Sequence, residues 1–305
     1  MHPKNTLPTD SRRNFLLRHA GVASLALAGC AAPTSSPPRP DEPLSRTVRD
    51  RLWIWTHPAG AHNRGWNIPR PSRMTPLEGA VYLGVPNLMF IRYEDEPRLE
   101  EFESYAIAFR PMQRVVWSVV GASGRTSEAE REHVLQLAEK FPNITGFVMD
   151  DFFNKGKGSL TVEEVHALRP RLVIGGRRRD LYVVVYDYQL DDPLGRHLAE
   201  CDRITYWTWR AEDLVKLEEN FPRLERLAPA RGKLLGCYLW NYGGGGGKPL
   251  PMELMRLQCE LGLRWLREGK IEGMIFLASN VCDLELETVR YVRDWVDKVG
   301  DLRLG

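Results

Sequence analysis

The stretch ITGFVMDDFF, residues 144–153, joins an uninterrupted apolar run to two adjacent acids. A short apolar run with β-branched and aromatic residues is typical of a β-strand that is buried on both faces. Strands of this kind occur mainly in parallel sheets that are covered by helices. The stretch therefore favours an α/β fold, and it places Asp150 and Asp151 at the carboxyl end of a strand.

Seven further segments of this type, three before this stretch and four after it, alternate with amphipathic segments. The predicted strands are LWIWTH (52–57), NLMFIRY (87–93), RVVWSVV (114–120), ITGFVMDD (144–151), LYVVVYD (181–187), RITYWTW (203–209), LLGCYLW (234–240) and GMIFLASN (273–280). The clearest helical segments are 126–141, 161–168, 251–269 and 284–299. Eight β-then-α units in one chain predict a single (β/α)₈ barrel, the TIM barrel. The competing doubly wound sheet would normally carry a glycine-rich phosphate turn after its first strand, and LWIWTHPAGAHNRG contains no GxGxxG.

The beginning of the chain differs in character from the rest. SRRNFL at 11–16 resembles the twin-arginine signal that exports folded proteins, and the apolar run after it is too short to span a membrane. LAGC at 27–30 resembles a lipobox, in which Cys30 becomes the lipidated first residue, although an ordinary N-terminal helix is the alternative. A Pro- and Ser-rich tether follows. We expect a signal at 1–30, a tether at 31–48 and a catalytic barrel at 49–305, in a periplasmic or cell-surface lipoprotein bound to the membrane through Cys30.

Charge and cysteine content narrow the possible partners. The 42 Lys and Arg residues nearly balance the 40 Asp and Glu residues, and no basic tract stands out, so nucleic acid is not an expected partner. The four cysteines after Cys30 lack the spacing of metal ligands, and either a disulfide or buried free thiols fits them. No metal or other cofactor is predicted.

In a (β/α)₈ barrel the active site lies at the carboxyl ends of the strands, where this sequence places many aromatic and acidic residues. In strand order, the candidate residues are Trp55 and His57, Arg92 and Glu94, Asp150 and Asp151, Asp187 and Tyr188, Trp207 and Trp209, Trp240, Asn241 and Tyr242, and Asn280. Aromatic rings stack on the apolar C–H faces of sugars, and polar side chains bind sugar hydroxyl groups. The pattern indicates an oligo- or polysaccharide as substrate.

Cleavage of a glycosidic bond needs one protonated carboxyl group as general acid and a second carboxylate as nucleophile or base. Asp150 and Asp151 are the candidates for the acid, and the aromatic residues after them should raise a carboxyl pKa by desolvation. Adjacent strand residues point to opposite faces, so only one of the two acids should face the site unless the strand has already turned. Asp187 is the predicted partner, because neighbouring strand ends lie about 5 Å apart, as retaining enzymes require. Glu94 or Asp95 would fit a wider, inverting spacing.

Each of these signals also has a purely structural interpretation. Paired acids at a strand end often cap helices or hold loops, Asp187 could start a turn, and the tryptophans could pack against helices. The GGGGG run at 243–247 lacks the Lys-Ser/Thr ending of a P-loop, which favours a flexible loop or lid over a phosphate site.

With its MDDFF segment on strand four, the chain between about 50 and 300 resembles the exported glycoside-hydrolase-type (β/α)₈ barrels of bacteria. In many such families an essential acid ends strand four, which implies Asp150 or Asp151 here. The clan with glutamates on strands four and seven would have a Glu near Trp240, where this chain has Asn241 and Tyr242, and the chitinase-type DxxDxDxE run is absent. The resemblance implies a carbohydrate-active hydrolase of no assigned family. Two alternatives remain open: a non-catalytic, lipid-anchored carbohydrate-binding barrel, and a metal-dependent sugar isomerase, epimerase or deacetylase.

Overall fold

The computed structural model describes residues 47–244 and 247–305. The predicted export signal, the predicted lipidation site Cys30 and most of the predicted tether lie outside these residues. No helix in the described part of the chain is long and apolar enough to cross a membrane.

Eight parallel strands close into a barrel in chain order, with the last strand paired to the first. The strands are β1 (Leu52–Thr56), β2 (Asn87–Phe90), β3 (Arg114–Val120), β4 (Ile144–Met149), β5 (Asp180–Tyr186), β6 (Arg203–Trp207), β7 (Gly232–Tyr238) and β8 (Gly273–Leu277). The helices are α1 (Pro76–Leu83), α2 (Phe102–Ala108), α3 (Glu128–Lys140), α4 (Val162–Leu168), α5 (Gly195–Glu200), α6 (Leu217–Leu227), α7 (Met252–Arg267) and α8 (Glu287–Val299). This architecture confirms the predicted single (β/α)₈ barrel.

Local sequence signals set several helix starts. A capping box begins α4: the Thr161 backbone N–H donates to the Glu164 carboxylate at 2.7 Å, and the Glu164 N–H donates to Thr161 Oγ1 at 3.1 Å. α1 begins with an equivalent box between Thr75 and Glu78. Each box satisfies backbone N–H groups that a helix start leaves without partners, which is worth about 1 kcal/mol.

The interior of the barrel is filled by large side chains at a period of two residues. At one level, the Trp53 and Tyr182 ring centroids lie 6.4 Å apart. Two residues farther along β1, the Trp55 ring meets the Trp207 ring of β6 at 5.3 Å. Because alternate residues of a strand share a face, the barrel is packed to its axis and the open end lies just beyond this second level.

Gly236 of β7 makes room for the Trp207 indole. A Cβ atom at position 236 would lie 2.1 Å from Trp207 Cδ2, which no side chain could tolerate. The absent side chain therefore lets the indole lie across the barrel axis.

The four cysteines of the described residues are Cys201, Cys237, Cys259 and Cys282, and all are buried free thiols. The sequence left a disulfide and buried free thiols as alternatives, and the structure has free thiols. Burial raises the pKa of each thiol above its ordinary value, so they behave as apolar core residues.

Candidate active site

A cavity with about 540 Å³ of empty space, part of it open to solvent, lies at the carboxyl ends of the strands. We call it the central cavity and define it by its lining: Trp55, His57, His62, Trp66, Tyr93, Ala122, Asp150, Asp151, Tyr186, Trp207, Trp209, Tyr238, Tyr242 and Leu277. Seven of these were predicted from the sequence as site residues, and the barrel brings them together at one mouth.

Both acids of the MDDFF segment line the central cavity, because the strand has already turned where they occur. β4 ends at Met149, and Asp151 has a φ of 44°, in the left-handed region. Asp150 still extends the strand pairing through its N–H, which donates to Val120 O at 2.9 Å. The turn at Asp151 rotates the second side chain back towards the side of the first, so the alternation expected within a strand does not separate them.

Asp150 is only 5% exposed. Burial raises the pKa of Asp150 well above its ordinary value, the neighbouring Asp151 carboxylate raises it further, and the hydrogen bond from the Asp151 N–H to Asp150 Oδ1, at 2.9 Å, opposes them. A buried carboxyl group beside another acid holds its proton to a higher pH than a free one. Asp150 therefore has the properties of a proton donor.

Asp151 is held through both oxygens. Tyr186 Oη donates to Asp151 Oδ1 at 2.7 Å, and the Ser123 N–H donates to Oδ2 at 2.9 Å. Burial, followed by the charge of Asp151, raises the pKa of the Tyr186 phenol well above 10, so the phenol keeps its proton and stays a donor. These two contacts fix the orientation of the Asp151 carboxylate at the cavity wall.

Two neutral imidazoles, His57 and His62, also line the central cavity, with ring centroids 5.0 Å apart. Burial lowers the pKa of His57 to about 4, and burial together with His57 lowers the pKa of His62 well below 6.5. His57 Nδ1 lies 3.3 Å from Ile91 O, and a carbonyl can only accept, so Nδ1 carries the proton and Nε2 is an acceptor. His62 Nδ1 lies 3.3 Å from Tyr242 Oη. The pair can bind a hydroxyl group without adding charge.

The remaining wall is aromatic and is held by its own hydrogen bonds. Trp66 Nε1 donates to Tyr93 Oη at 3.1 Å, and the Trp66 ring packs edge-on against Tyr242 at 5.4 Å and Trp209 at 6.3 Å. Such rings offer flat apolar faces at fixed angles, which suits the C–H faces of a sugar.

Asp187, the predicted partner carboxylate, does not line the central cavity. Its Oδ1 accepts a 2.9 Å hydrogen bond from the Trp209 N–H, and with Tyr188 it lines a second, adjacent cavity. The physical reason is the alternation of β5: Tyr186 faces the barrel axis, so the next residue turns away. Burial raises the pKa of Asp187, but the cavity that contains Asp150 and Asp151 is formed without it.

Five predicted binding residues also lie outside the central cavity: Arg92, Glu94, Trp240, Asn241 and Asn280. The polar atoms of three of them are used by the chain itself. Arg92 Nη1 pairs with Glu130 at 2.9 Å, Trp240 Nε1 donates to Trp66 O at 2.9 Å, and Asn280 Nδ2 donates to Pro58 O at 2.9 Å. Asn241 is buried in a short hairpin with Lys248, and Glu94 is an exposed turn residue with a φ of 51°. They build the rim rather than line the cavity.

The aromatic residues after the acids also have a structural place. Phe152 and Phe153 are buried, pack against each other at 4.8 Å, and contact His197. They do not line the central cavity. The expected rise in a carboxyl pKa is present at Asp150, but these two rings are not part of the cavity lining around it.

Sequence reasoning missed Tyr186 and Tyr238, which end β5 and β7. The alternation of strand faces could have indicated Tyr238, because it lies two residues before the candidate Trp240 and so shares its strand face. The strand ends two residues earlier than predicted, which puts Tyr238 at the position expected for Trp240. His62 and Trp66 come from the loop after β1, whose course no strand pattern specifies. Tyr93, the last residue of the predicted second strand, lies in the loop after β2.

No group of three or more His, Cys, Asp or Glu side chains in residues 47–244 and 247–305 is arranged to hold a metal ion.

No family model matches this chain, and no curated protein matches its sequence. Among solved structures, the catalytic domain of a hyperthermophilic chitinase from Pyrococcus furiosus matches with a TM-score of 0.52 at 13% identity, covering 84% of this chain and 98% of that one. Catalytic-site mutants of active domain 2 of the thermostable chitinase from the same organism, complexed with chito-oligosaccharides, match with a TM-score of 0.50 at 13% identity, covering 85% and 97%. Similarity at this identity shows a shared barrel fold.

Proposed function

We propose that the protein is a carbohydrate-active hydrolase that cleaves a glycosidic bond in the central cavity. Asp150 is the general acid and Asp151 is the second carboxylate. The observation that carries the proposal is the placement of two carboxyl groups in one aromatic-walled cavity, where their environments differ: one is buried and the other is held by two donors. Pairs of acids in different environments are how acid and base roles are divided in such enzymes.

In the proposed reaction, the Asp150 carboxyl group donates its proton to the leaving glycosidic oxygen as the bond from that oxygen to the anomeric carbon breaks. The Asp151 carboxylate faces the positive charge that develops at the sugar ring, and it acts as nucleophile or, through a water molecule, as base. The aromatic wall holds the ring, and the neutral histidines bind hydroxyl groups. Asp187 positions Trp209 instead of taking part in bond cleavage.

The fold is consistent with this proposal but does not by itself establish the activity. The chitinase catalytic domain from Pyrococcus furiosus shares the barrel, but at 13% identity. Many unrelated functions occur on this fold, so the activity is argued from the site.

One observation favours a second candidate, a non-catalytic carbohydrate-binding barrel. Both oxygens of Asp151 are already bonded within the chain, as they would be in an acid that only holds a loop. The aromatic wall would serve binding equally well. Both the hydrolase and the binding protein would bind the sugar, but only the hydrolase would turn it over.

The deciding experiment uses the full-length protein on a panel of aryl glycosides and of chito-, cello-, laminari- and xylo-oligosaccharides. Hydrolysis of at least one substrate, with loss of that hydrolysis in Asp150→Asn, supports the enzyme. Calorimetric binding of an oligosaccharide without turnover supports the binding protein. If the protein neither hydrolyses nor binds any of these sugars, a carbohydrate function is contradicted altogether.

We also propose that the protein is exported and anchored to the membrane by lipid on Cys30. The support is the sequence alone: the SRRNFL segment, the LAGC segment and the Pro- and Ser-rich tether.

A further inference from the structure

We infer that the substrate is an uncharged oligosaccharide, with one sugar unit in the central cavity and another on the exposed ring of Tyr188 in the adjacent cavity. This inference rests on the proposed function, because a second sugar position has no role unless a first sugar binds beside Asp150 and Asp151.

The second cavity shares one lining residue with the central cavity. It has about 1,020 Å³ of space open to solvent and is lined chiefly by Asp187, Tyr188, Trp209, Arg210, Glu212 and Asp213. Trp209 lines both cavities. A chain of sugars that extends from the central cavity past this indole would reach the second cavity.

Two stacked tyrosines form a wall between the acids and the second cavity. Tyr186 binds Asp151 through its phenol, and its ring stacks on the Tyr188 ring at a centroid distance of 5.4 Å and an angle of 7°. Tyr188 is 63% exposed, and it is the only exposed Phe, Tyr or Trp side chain among the described residues. Its ring is therefore oriented in advance while one face stays open to solvent, so little ordering cost remains for a ligand that stacks there.

Among the described residues, the Tyr188 ring stacks only on the Tyr186 ring, and its outer face is left open beside the second cavity. The apolar C–H face of a sugar ring is the complementary surface.

Charge defines the class of sugar. The second cavity has three acids, Asp187, Glu212 and Asp213, against Arg210, and Lys216 Nζ pairs with Asp213 at 2.8 Å. The central cavity adds the Asp151 carboxylate, while Asp150 keeps its proton and the two histidines are neutral. A negative excess over both cavities repels carboxylated or sulfated units, so the expected units carry no charge.

The test measures kcat/KM on oligosaccharides of increasing length, from aryl monoglycosides upwards, with oligogalacturonates as the charged comparison. We expect kcat/KM to rise when a second unit is added, and oligogalacturonates to be poor substrates. Tyr188→Ala should lower kcat/KM by about 3- to 10-fold on substrates that reach both cavities, as loss of one stacking contact predicts, and the loss should be smaller on monoglycosides. Tyr188→Phe, which keeps the ring, is the matched control and should retain the dependence on length.

Trp209→Ala provides the second readout. Because Trp209 lines both cavities, its loss should raise KM on short and long substrates alike. The inference is overturned if length has no effect, if Tyr188→Ala affects all lengths equally, or if oligogalacturonates are preferred, and in each case the proposed hydrolase stands. Absence of any turnover or binding overturns both.

Discussion

The phenol of Tyr186 donates a 2.7 Å hydrogen bond to Oδ1 of Asp151 and so ties the end of β5 to the turn that follows β4. Two residues that are 35 positions apart in the chain thereby set the geometry of one carboxylate. Nothing else in the described residues holds this oxygen, because the other donor, the Ser123 N–H, binds Oδ2.

Tyr186→Phe should lower kcat by about 10-fold or more while KM changes little, since a hydrogen bond to a charged group is worth roughly 1.5–3 kcal/mol. Steady-state kinetics on the best substrate measure this. Tyr105→Phe is the control, because Tyr105 lies on α2 outside the barrel and stacks on Phe90 without lining the cavity. An unchanged kcat in Tyr186→Phe would show that the orientation of Asp151 does not matter for the chemical step.

Asp150→Asn should lower kcat by roughly 10²–10⁴-fold on substrates with poor leaving groups, because it removes the proton donor. Substrates with good leaving groups need little protonation, so they should restore most of the rate in this variant. Asp151→Asn should show no such rescue. Asp301→Asn, at an exposed carboxylate outside both cavities, controls for the loss of one charge. Equal rescue in both cavity variants would contradict the assignment of roles.

Asp150 also predicts a dependence of stability on pH. The pKa of Asp150 is raised in the folded state, so above about 4 the unfolded chain has released a proton that the folded chain still holds. This contribution to stability is present at low pH and is lost as pH rises through the folded-state pKa. The free energy of unfolding of Asp150→Asn, relative to that of the parent protein, should therefore increase with pH above about 4. Urea unfolding across this range measures the difference, and parallel curves would refute it.

The contribution of His57 to stability should change with pH in the opposite direction. Its pKa is about 4 in the folded protein against about 6.5 in the unfolded chain, so the unfolded chain binds the extra proton between these values. The difference corresponds to about 3 kcal/mol of stability that is present above pH 6.5 and is lost as pH falls towards 4. His57→Gln should lose this dependence, whereas His166→Gln, whose side chain is 76% exposed, should keep it. Melting temperatures between pH 4 and 7 decide the point.

Cys30→Ser should release the protein from the membrane fraction or leave its precursor uncleaved, because Cys30 is the proposed lipid attachment site. Labelled fatty acid and cell fractionation measure this. A Cys201→Ser variant, at a buried thiol in the barrel, should still take up label. Unchanged membrane association and no lipid label in the parent protein would contradict the export proposal.

The fold was accessible from the sequence because each buried strand carries its own signal. The apolar run before Asp150, and the Thr161 and Glu164 box that starts α4, are local patterns that need no tertiary information. The strand ends were less accessible. Most of the predicted strands run two or three residues too far, since polar and aromatic residues continue after the pairing stops.

The candidate site was only partly predictable for the same reason. Position at a strand end was enough to find Asp150, Asp151 and His57. Whether a residue at a strand end faces the barrel axis depends on where the strand stops. The sequence therefore could not show that Tyr186, and not Asp187, lines the central cavity. Loop residues such as Trp66 are brought in by contacts distant in sequence, which no local pattern records.

The depth to which any ligand can enter this barrel is decided at a position that no ligand touches. Trp207 closes the floor of the central cavity, and it can lie there only because residue 236 has no side chain. A larger residue at 236 would displace the indole towards the cavity and make the cavity shallower. A smaller residue at 207 would extend the cavity down the barrel axis towards the level of Trp53. The pair 207 and 236 is therefore the natural starting point for redesigning which molecules this barrel admits.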